Sequence, residues 1–144
     1  MKKLLMMLLV IILFVIGIFF FLNQSLSFNE YVLKDTNTTD ITSIEVIHSP
    51  GEETIIIDDQ NKIEEFISLF SEADLKRITF LNNSGDSNFE DVYWITIKVK
   101  EERVLLLRLD SELYLTVTGK EQNRVSDYKI SQNFNLDSLE KIFE

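Results

Sequence analysis

The chain has 144 residues and a formal net charge of −10, which is enough length for one folded domain with its own core. Lys2 and Lys3 stand before a long apolar run, so the remaining 12 basic residues face all 24 acidic ones and the rest of the chain carries −12. This charge excludes nucleic-acid binding, which depends on Lys and Arg neutralising phosphates, and no cysteine is present for disulfides, thiolate nucleophiles, zinc–thiolate sites or lipid attachment.

Residues 4–22, LLMMLLVIILFVIGIFFFL, form an uninterrupted run of nineteen apolar positions. As a helix, this run is about 28 Å long, which matches the hydrocarbon thickness of a bilayer. Because the basic residues lie on its N-terminal side, the positive-inside rule predicts residues 1–3 in the cytoplasm and the domain that follows outside. The sequence therefore predicts a transmembrane signal-anchor, and a single-pass protein of the cell membrane with an extracellular C-terminal domain.

A cleaved signal peptide is the alternative explanation of this run. Such peptides have a shorter apolar core, of about 7–15 residues, followed by small residues at the cleavage site. The candidate site here is Ser25-Leu26-Ser27, and the apolar run before it is longer than usual. We favour retention over a secreted form cleaved near Ser27, and both versions place the domain outside.

After the apolar run, the sequence predicts a polar juxtamembrane spacer over 23–40 and one extracytoplasmic α+β domain over 41–144. Four apolar residues of the spacer are candidates for packing back on the domain: Phe28, Tyr31, Val32 and Leu33. The domain begins with two β-branched runs, ITSIEVIH (41–48) and ETIIID (53–58). The residues between them, Ser-Pro-Gly-Glu, are a strong turn signal. The two runs are therefore expected to pair as a hairpin.

An amphipathic helix is predicted next, over 59–73. Its apolar residues recur at i, i+3, i+4 and i+7 and so share one helical face: Ile63, Phe66, Ile67 and Phe70. Asp58 or Asp59 can cap the first turn of this helix, because a carboxylate accepts hydrogen bonds from its free N–H groups.

The remaining segments complete the predicted domain. Strands are expected over 75–81, 91–100, 104–110 and 112–119, VSDYKIS (125–131) favours one further strand at an edge of the sheet, and a short amphipathic helix is expected over 136–144. The order is β-β-α-β-β-β-β, then the edge strand and a C-terminal α-helix. This order predicts a mainly antiparallel sheet with helices packed on one face.

The apolar alternation of three strands predicts their register, with turns at 101–103 and 110–112. Ile95 then faces Leu109, Ile97 faces Leu107 and Val99 faces Leu105, and the same three leucines face Leu113, Leu115 and Val117 of the next strand. One face of these strands is wholly apolar. On the other face, Arg108 is expected between Thr96 and Tyr114, with Trp94 one step diagonal.

Trp94, Arg108 and Tyr114 form a predicted aromatic–arginine cluster on the middle of the sheet. These residue types dominate binding hot spots, so the cluster is a candidate docking site for an extracytoplasmic protein partner. The alternative is packing, because cross-strand aromatic pairs stabilise sheets. The terminal helix or the spacer could also cover the cluster.

The loop after residue 81 carries oxygen ligands of the kind that calcium prefers, at Asp86, Asn88, Glu90 and Asp91. Their spacing is not that of an EF-hand, and an ordinary solvated acidic loop is the alternative. No other cofactor is predicted.

His48 is the single histidine of the chain and so the candidate general base. The sequence assigns it neither an orienting acid nor an oxyanion hole, and no G-x-S-x-G motif is present. We interpret it as a turn histidine whose ring covers the hairpin edge. An enzyme is the least favoured functional class.

The layout resembles small membrane-anchored extracytoplasmic proteins of low-GC Gram-positive bacteria. The features in common are the MKK start, the hairpin ITSIEVIHSPGEETIIIDD with the helix after it, the strand VYWITIKV and the closing NLDSLEKIF. Many of those proteins carry a lipid-modified cysteine after the signal, and this chain has none. The resemblance implies a location and no activity.

The sequence therefore predicts a membrane-anchored, non-catalytic protein-interaction or sensing module. The alternative is a module that binds a small ligand, a metal or the cell wall on the outer side of the membrane. A secreted form after cleavage near Ser27 is the other alternative.

Overall fold

The computed structural model of the chain describes residues 2–22, 24–49, 53–71, 73–78, 91–120, 125–131 and 134–143. Its helices and strands, in chain order, are α1 (Lys2–Leu22), β1 (Leu26–Ser27), α2 (Phe28–Tyr31), a 3-10 turn (Thr38–Asp40), β2 (Ser43–Ser49), β3 (Glu53–Ile57), α3 (Gln60–Ser71), β4 (Asp74–Arg77), β5 (Val92–Val99), β6 (Glu102–Asp110), β7 (Tyr114–Gly119), β8 (Val125–Ile130), α4 (Leu136–Glu140) and a second 3-10 turn (Lys141–Phe143).

Within the described ranges, the strands form one antiparallel sheet of eight in the order β1-β4-β8-β7-β6-β5-β2-β3. The predicted α+β class and antiparallel sheet are confirmed. One core cluster joins alternate residues of the strands, such as Ile95, Leu107 and Leu115, to apolar residues of the helices. Since alternate strand residues share a face, the helices pack on that face of the sheet.

The predicted helix over 59–73 is confirmed as α3. The N–H of Lys62 donates to Asp59 Oδ1 at 3.1 Å, so Asp59 caps the helix and Gln60 is its first residue. All four predicted apolar residues are buried. Phe70 lies at the centre of an aromatic group, with ring centroids 5.0 Å from Phe28, 5.5 Å from Phe66 and 5.0 Å from Phe134.

The predicted register of β5 with β6 is wrong, by two residues at Ile95 and Ile97 and by three at Val99. Ile95 faces Leu107 instead of Leu109, Ile97 faces Leu105 instead of Leu107, and Val99 faces Glu102 instead of Leu105. The expected turn at 101–103 is in fact made by Lys100 and Glu101, whose φ angles of 51° and 66° are those of a tight two-residue hairpin. The pairing shifts again between Ile97 and Lys98, where β6 carries one extra residue.

The register of β6 with β7 is also two residues away from the prediction. Leu109, Leu107 and Leu105 face Leu115, Val117 and Gly119 instead of Leu113, Leu115 and Val117. Leu113 belongs to the turn, with a φ of 65°, and its N–H donates to the carbonyl of Asp110 at 2.9 Å. Because a two-residue shift leaves each side chain on its own face, the predicted apolar face is correct although its pairs are not.

Two further expectations need correction. The strand expected at an edge over 125–131 is β8, and it lies inside the sheet between β7 and β4. The segment 23–40, expected as a spacer before a domain that starts at 41, contributes β1 to the sheet. Of its four residues expected to pack on the domain, Phe28, Val32 and Leu33 are buried and Tyr31 is 45% exposed. The sheet therefore begins at Leu26, with three residues between it and the end of α1.

α1 confirms a helix over the predicted apolar run. Its apolar side chains from Met6 to Phe21 are exposed, from 44% for Ile18 to 78% for Phe21. Among the residues that the structure describes, no helix qualifies by length and apolar character as a membrane span. The membrane-spanning role of residues 4–22 stays a prediction.

Candidate functional site

The sheet has one face turned away from the core, here called the open face. Successive strand residues point to opposite faces, so the open face is formed by the residues that alternate with those of the core. Its members range from partly buried to exposed: Glu45, Ile47, Trp94, Thr96, Lys98, Leu106, Arg108, Tyr114, Thr116, Thr118, Asp127 and Lys129.

Trp94 and Arg108 are direct cross-strand partners on the open face. The prediction placed Arg108 between Thr96 and Tyr114, with Trp94 diagonal; the two-residue shift instead places Arg108 between Trp94 and Thr116. Ile47 lies on the other side of Trp94. Trp94, Arg108 and Tyr114 thus lie on one face as predicted, but their cross-strand neighbours differ from those predicted. Trp94 is 39% exposed.

Tyr114 is engaged by its neighbours on the sheet. The ammonium of Lys129 lies 3.8 Å from the centre of the Tyr114 ring, and it also donates to the carbonyl of Glu112. The backbone N–H of Tyr114 donates to Asp110 Oδ1 at 2.8 Å. Tyr114 therefore acts at least in part as a structural residue.

Other polar groups of the open face also pair with each other. Lys98 Nζ donates to Glu45 Oε2 at 2.9 Å. The Thr116 hydroxyl donates to Asp127 Oδ1 at 2.7 Å. Such pairing is typical of the solvated face of an antiparallel sheet, which favours the packing explanation of the cluster.

His48 lies in β2 and forms a pair with Asp91, just before β5. The distance between His48 Nε2 and Asp91 Oδ1 is 2.7 Å, and the imidazole stacks on the Tyr93 ring with centroids 4.3 Å apart. His48 therefore does have a carboxylate partner, which the sequence did not indicate. Ser49, the adjacent hydroxyl, points to the opposite face of β2, so this pair and Ser49 do not form a nucleophile–base–acid arrangement.

Of the four predicted calcium ligands, the structure describes only Asp91. Asp86, Asn88 and Glu90 lie outside the described residues. In the described part of the chain, no group of three or more His, Cys, Asp or Glu side chains could hold a metal ion. Asp91 itself is the partner of His48.

Asp110 is a buried carboxylate that the sequence analysis did not single out. It is 0% exposed, and its Oδ1 accepts hydrogen bonds from the N–H groups of Glu112 and Tyr114. Together with the bond from the Leu113 N–H to the Asp110 carbonyl, these bonds hold the β6–β7 turn, in which Leu113 has a left-handed backbone conformation. An aspartate at the start of a turn was the available sequence signal.

A groove of about 530 Å³ runs beside β3, between this strand, α3 and the terminal helical turns. We call it the edge groove. Its lining combines apolar residues with charged and polar ones: Ile55, Ile56, Ile57, Phe66, Leu69 and Ile142, together with Asp58, Asp59, Lys62, Glu65, Lys141 and Ser138. Sequence reasoning missed it because it depends on where the C-terminal helix packs.

Comparison with protein-family models, with curated proteins and with solved structures finds no match in any of the three.

Proposed function

We propose that the protein is a single-pass membrane protein whose α1 anchors an acidic, non-catalytic binding domain on the outer side of the cell membrane. The main support for this proposal is that α1 exposes apolar side chains around its whole circumference, from Met6 to Phe21. A helix that is apolar all round belongs in a protein core or a bilayer. Since each such side chain left in water forgoes about 1.5–3 kcal/mol, hydrocarbon is the favourable environment for α1.

The orientation follows from the charges around α1. Lys2 and Lys3 precede the apolar residues, and the next basic residue is Lys34. The positive-inside rule then places the N-terminus in the cytoplasm and the domain in the extracellular space. The resemblance to extracytoplasmic proteins of low-GC Gram-positive bacteria supports the same arrangement.

Retention of α1 is favoured over cleavage near Ser27. Leu26 and Ser27 form β1, which pairs with β4, and the Ser25 hydroxyl donates to Asp74 Oδ1 at 3.0 Å. Cleavage after Ser27 would remove this edge strand. It would also place a charged amino group on Phe28, which is fully buried.

Binding is proposed instead of catalysis because Ser49, the hydroxyl next to His48 in the described part of β2, points to the face opposite the His48–Asp91 pair. A domain charge of −12 points to partners other than nucleic acid or anionic lipid. The edge groove supports a second candidate, binding of a small ligand, because about 530 Å³ lies within the usual range of ligand pockets.

The test uses the full chain with a C-terminal tag, expressed in a Gram-positive host. We expect it to resist alkaline carbonate extraction from membranes and to lose its domain when protease is added to intact protoplasts. The mass of the mature protein should include α1. A product in the medium that begins at Phe28 would overturn the anchor, and protection from external protease would overturn the orientation.

A further inference from the structure

β3 is an edge strand with one unpaired side. Its five residues, Glu53–Ile57, pair with β2, and no described strand pairs with it on the other side. Between described residues, no backbone hydrogen bond joins Thr54–Ile57 to a segment other than β2. An edge of this kind offers free N–H and C=O groups to another extended chain.

The edge groove lies directly beside this free side. Its apolar floor includes Ile57 and Phe66, which are buried, and Ile55 and Leu69, which are partly exposed. Ile56 also borders the groove; by strand alternation its side chain projects to the face opposite Ile55 and Ile57, and it is 65% exposed. A strand added beside β3 would therefore place alternate side chains in the groove and next to Ile56.

The charges on either side of β3 indicate which kind of chain could pair with its free side. The sequence EETIIIDD sets two carboxylates on each side of the isoleucines. If a second copy paired antiparallel through β3, Glu53 of one copy would lie near Asp58 or Asp59 of the other, and like charges in cross-strand positions are destabilising. A segment with basic residues at both ends would meet opposite charges instead. In the described lining of the groove, three carboxylates (Asp58, Asp59 and Glu65) outnumber two ammonium groups (Lys62 and Lys141).

We propose that β3 is a strand-addition site for a partner protein, which supplies an extended segment of alternating apolar residues flanked by lysine or arginine. The backbone of that segment pairs with the free side of β3, and its apolar side chains fill the edge groove. This proposal does not depend on the orientation of α1 in a membrane.

The probe is a fluorescein-labelled, capped peptide KKVTVTVKK, titrated into the full chain in detergent micelles, with EEVTVTVEE as the matched acidic peptide. We expect the basic peptide to bind at least tenfold more tightly. In hydrogen exchange, the amides of Thr54–Ile57 should gain protection when the basic peptide is bound. Equal affinity for the two peptides, or no gain of protection in β3, would overturn the proposal.

Two neighbouring residues of α3 provide a matched pair of variants. Glu64 and Glu65 are both exposed, and of the two only Glu65 lines the groove. Glu65→Lys should weaken binding of the basic peptide at least threefold more than Glu64→Lys, with unchanged circular dichroism in both. Equal effects of the two variants would show that only the overall charge matters, which overturns a site at the groove.

A third peptide separates strand addition from the alternatives. The basic peptide with N-methyl groups on alternate residues keeps its side chains and charges and cannot pair along β3. If it binds as tightly as the parent peptide, the groove accepts a ligand without strand pairing and the proposal fails. A change in Trp94 fluorescence without protection of β3 would place the peptide on the open face, which also overturns it.

Discussion

Trp94 of β5 lies directly opposite Arg108 of β6, at the middle of the open face of the sheet. Both side chains are therefore held by strands that pair on both sides, with Ile47 and Thr116 completing the row. A row of this kind stabilises a sheet whether or not a partner docks on it.

Trp94→Ala is expected to lower the free energy of unfolding by about 1–2 kcal/mol, because a large, partly buried ring is removed from a cross-strand pair. Urea denaturation of the full chain in detergent measures the change, and Trp94→Phe should retain most of the stability. If Trp94→Ala leaves stability unchanged and abolishes recovery of a protein partner from membranes, the cluster is a docking site instead.

Asp91→Ala is expected to cost about 1 kcal/mol of stability, because it removes the carboxylate that meets His48 Nε2 at 2.7 Å. Asp35→Ala is the matched control, since Asp35 is exposed and lies 3.9 Å from Lys34. Thermal unfolding of both variants gives the comparison. Equal midpoints would show that the His48–Asp91 pair contributes nothing to the fold.

Phe70→Ala should destabilise the domain by about 3–5 kcal/mol, because Phe70 is fully buried at the centre of the aromatic group. This is a large fraction of the stability of an ordinary domain. Ser68→Ala, on the exposed side of the same helix, should change stability by less than about 0.5 kcal/mol. Chemical denaturation measures both, and a small effect of Phe70→Ala would contradict the packing of α3 on the sheet.

Ile12→Arg should reduce membrane insertion, because an arginine near the centre of a spanning helix costs about 2.5–3.5 kcal/mol. The carbonate-extractable fraction of the protein is the readout, with Ile12→Leu as the control. An unchanged extractable fraction would argue that α1 is not in the bilayer.

The Lys120 ammonium, which bonds to the Glu102 carboxylate and attracts it, lowers the pKa of Glu102 below its ordinary value. A lowered carboxylate pKa contributes stability that is present above the ordinary pKa of glutamate and is lost as the pH falls through the folded-state pKa. Both side chains are exposed, so the contribution is screened by solvent.

Lys120→Met should therefore raise the pKa of Glu102 in an NMR titration without a measurable change in the unfolding midpoint at pH 7. High salt should reduce the difference between the variant and the unmodified protein. A titration curve that does not move would contradict the pairing.

The sequence predicts the faces of the sheet better than its pairs. Side chains such as Ile95 and Arg108 fall on the expected faces because the apolar alternation is strict and an even shift preserves it. The register was missed because Lys100 and Glu101 form the turn without the glycine or asparagine that usually marks it.

Contacts between segments that are far apart in the sequence could not be predicted from local sequence patterns. The His48–Asp91 pair depends on β2 lying beside β5, and the edge groove depends on the C-terminal helix reaching β3. In both cases the two elements in contact are far apart in the sequence, so neither a turn signal nor the apolar periodicity predicts the contact. The cluster of Trp94, Arg108 and Tyr114 could be predicted from the sequence because short turns join β5, β6 and β7.

The strand order separates the two ends of the sheet. β1 follows α1 after residues 23–25 and forms one edge, whereas β3 forms the other edge. At the usual spacing of paired strands, the two edges stand roughly 30 Å apart. With α1 in the bilayer as proposed, the domain is attached to the membrane at the β1 edge, and a partner at β3 binds the opposite edge of the sheet. Inserting residues into the link 23–25 would then let the β3 edge extend farther from the membrane without changing the edge groove.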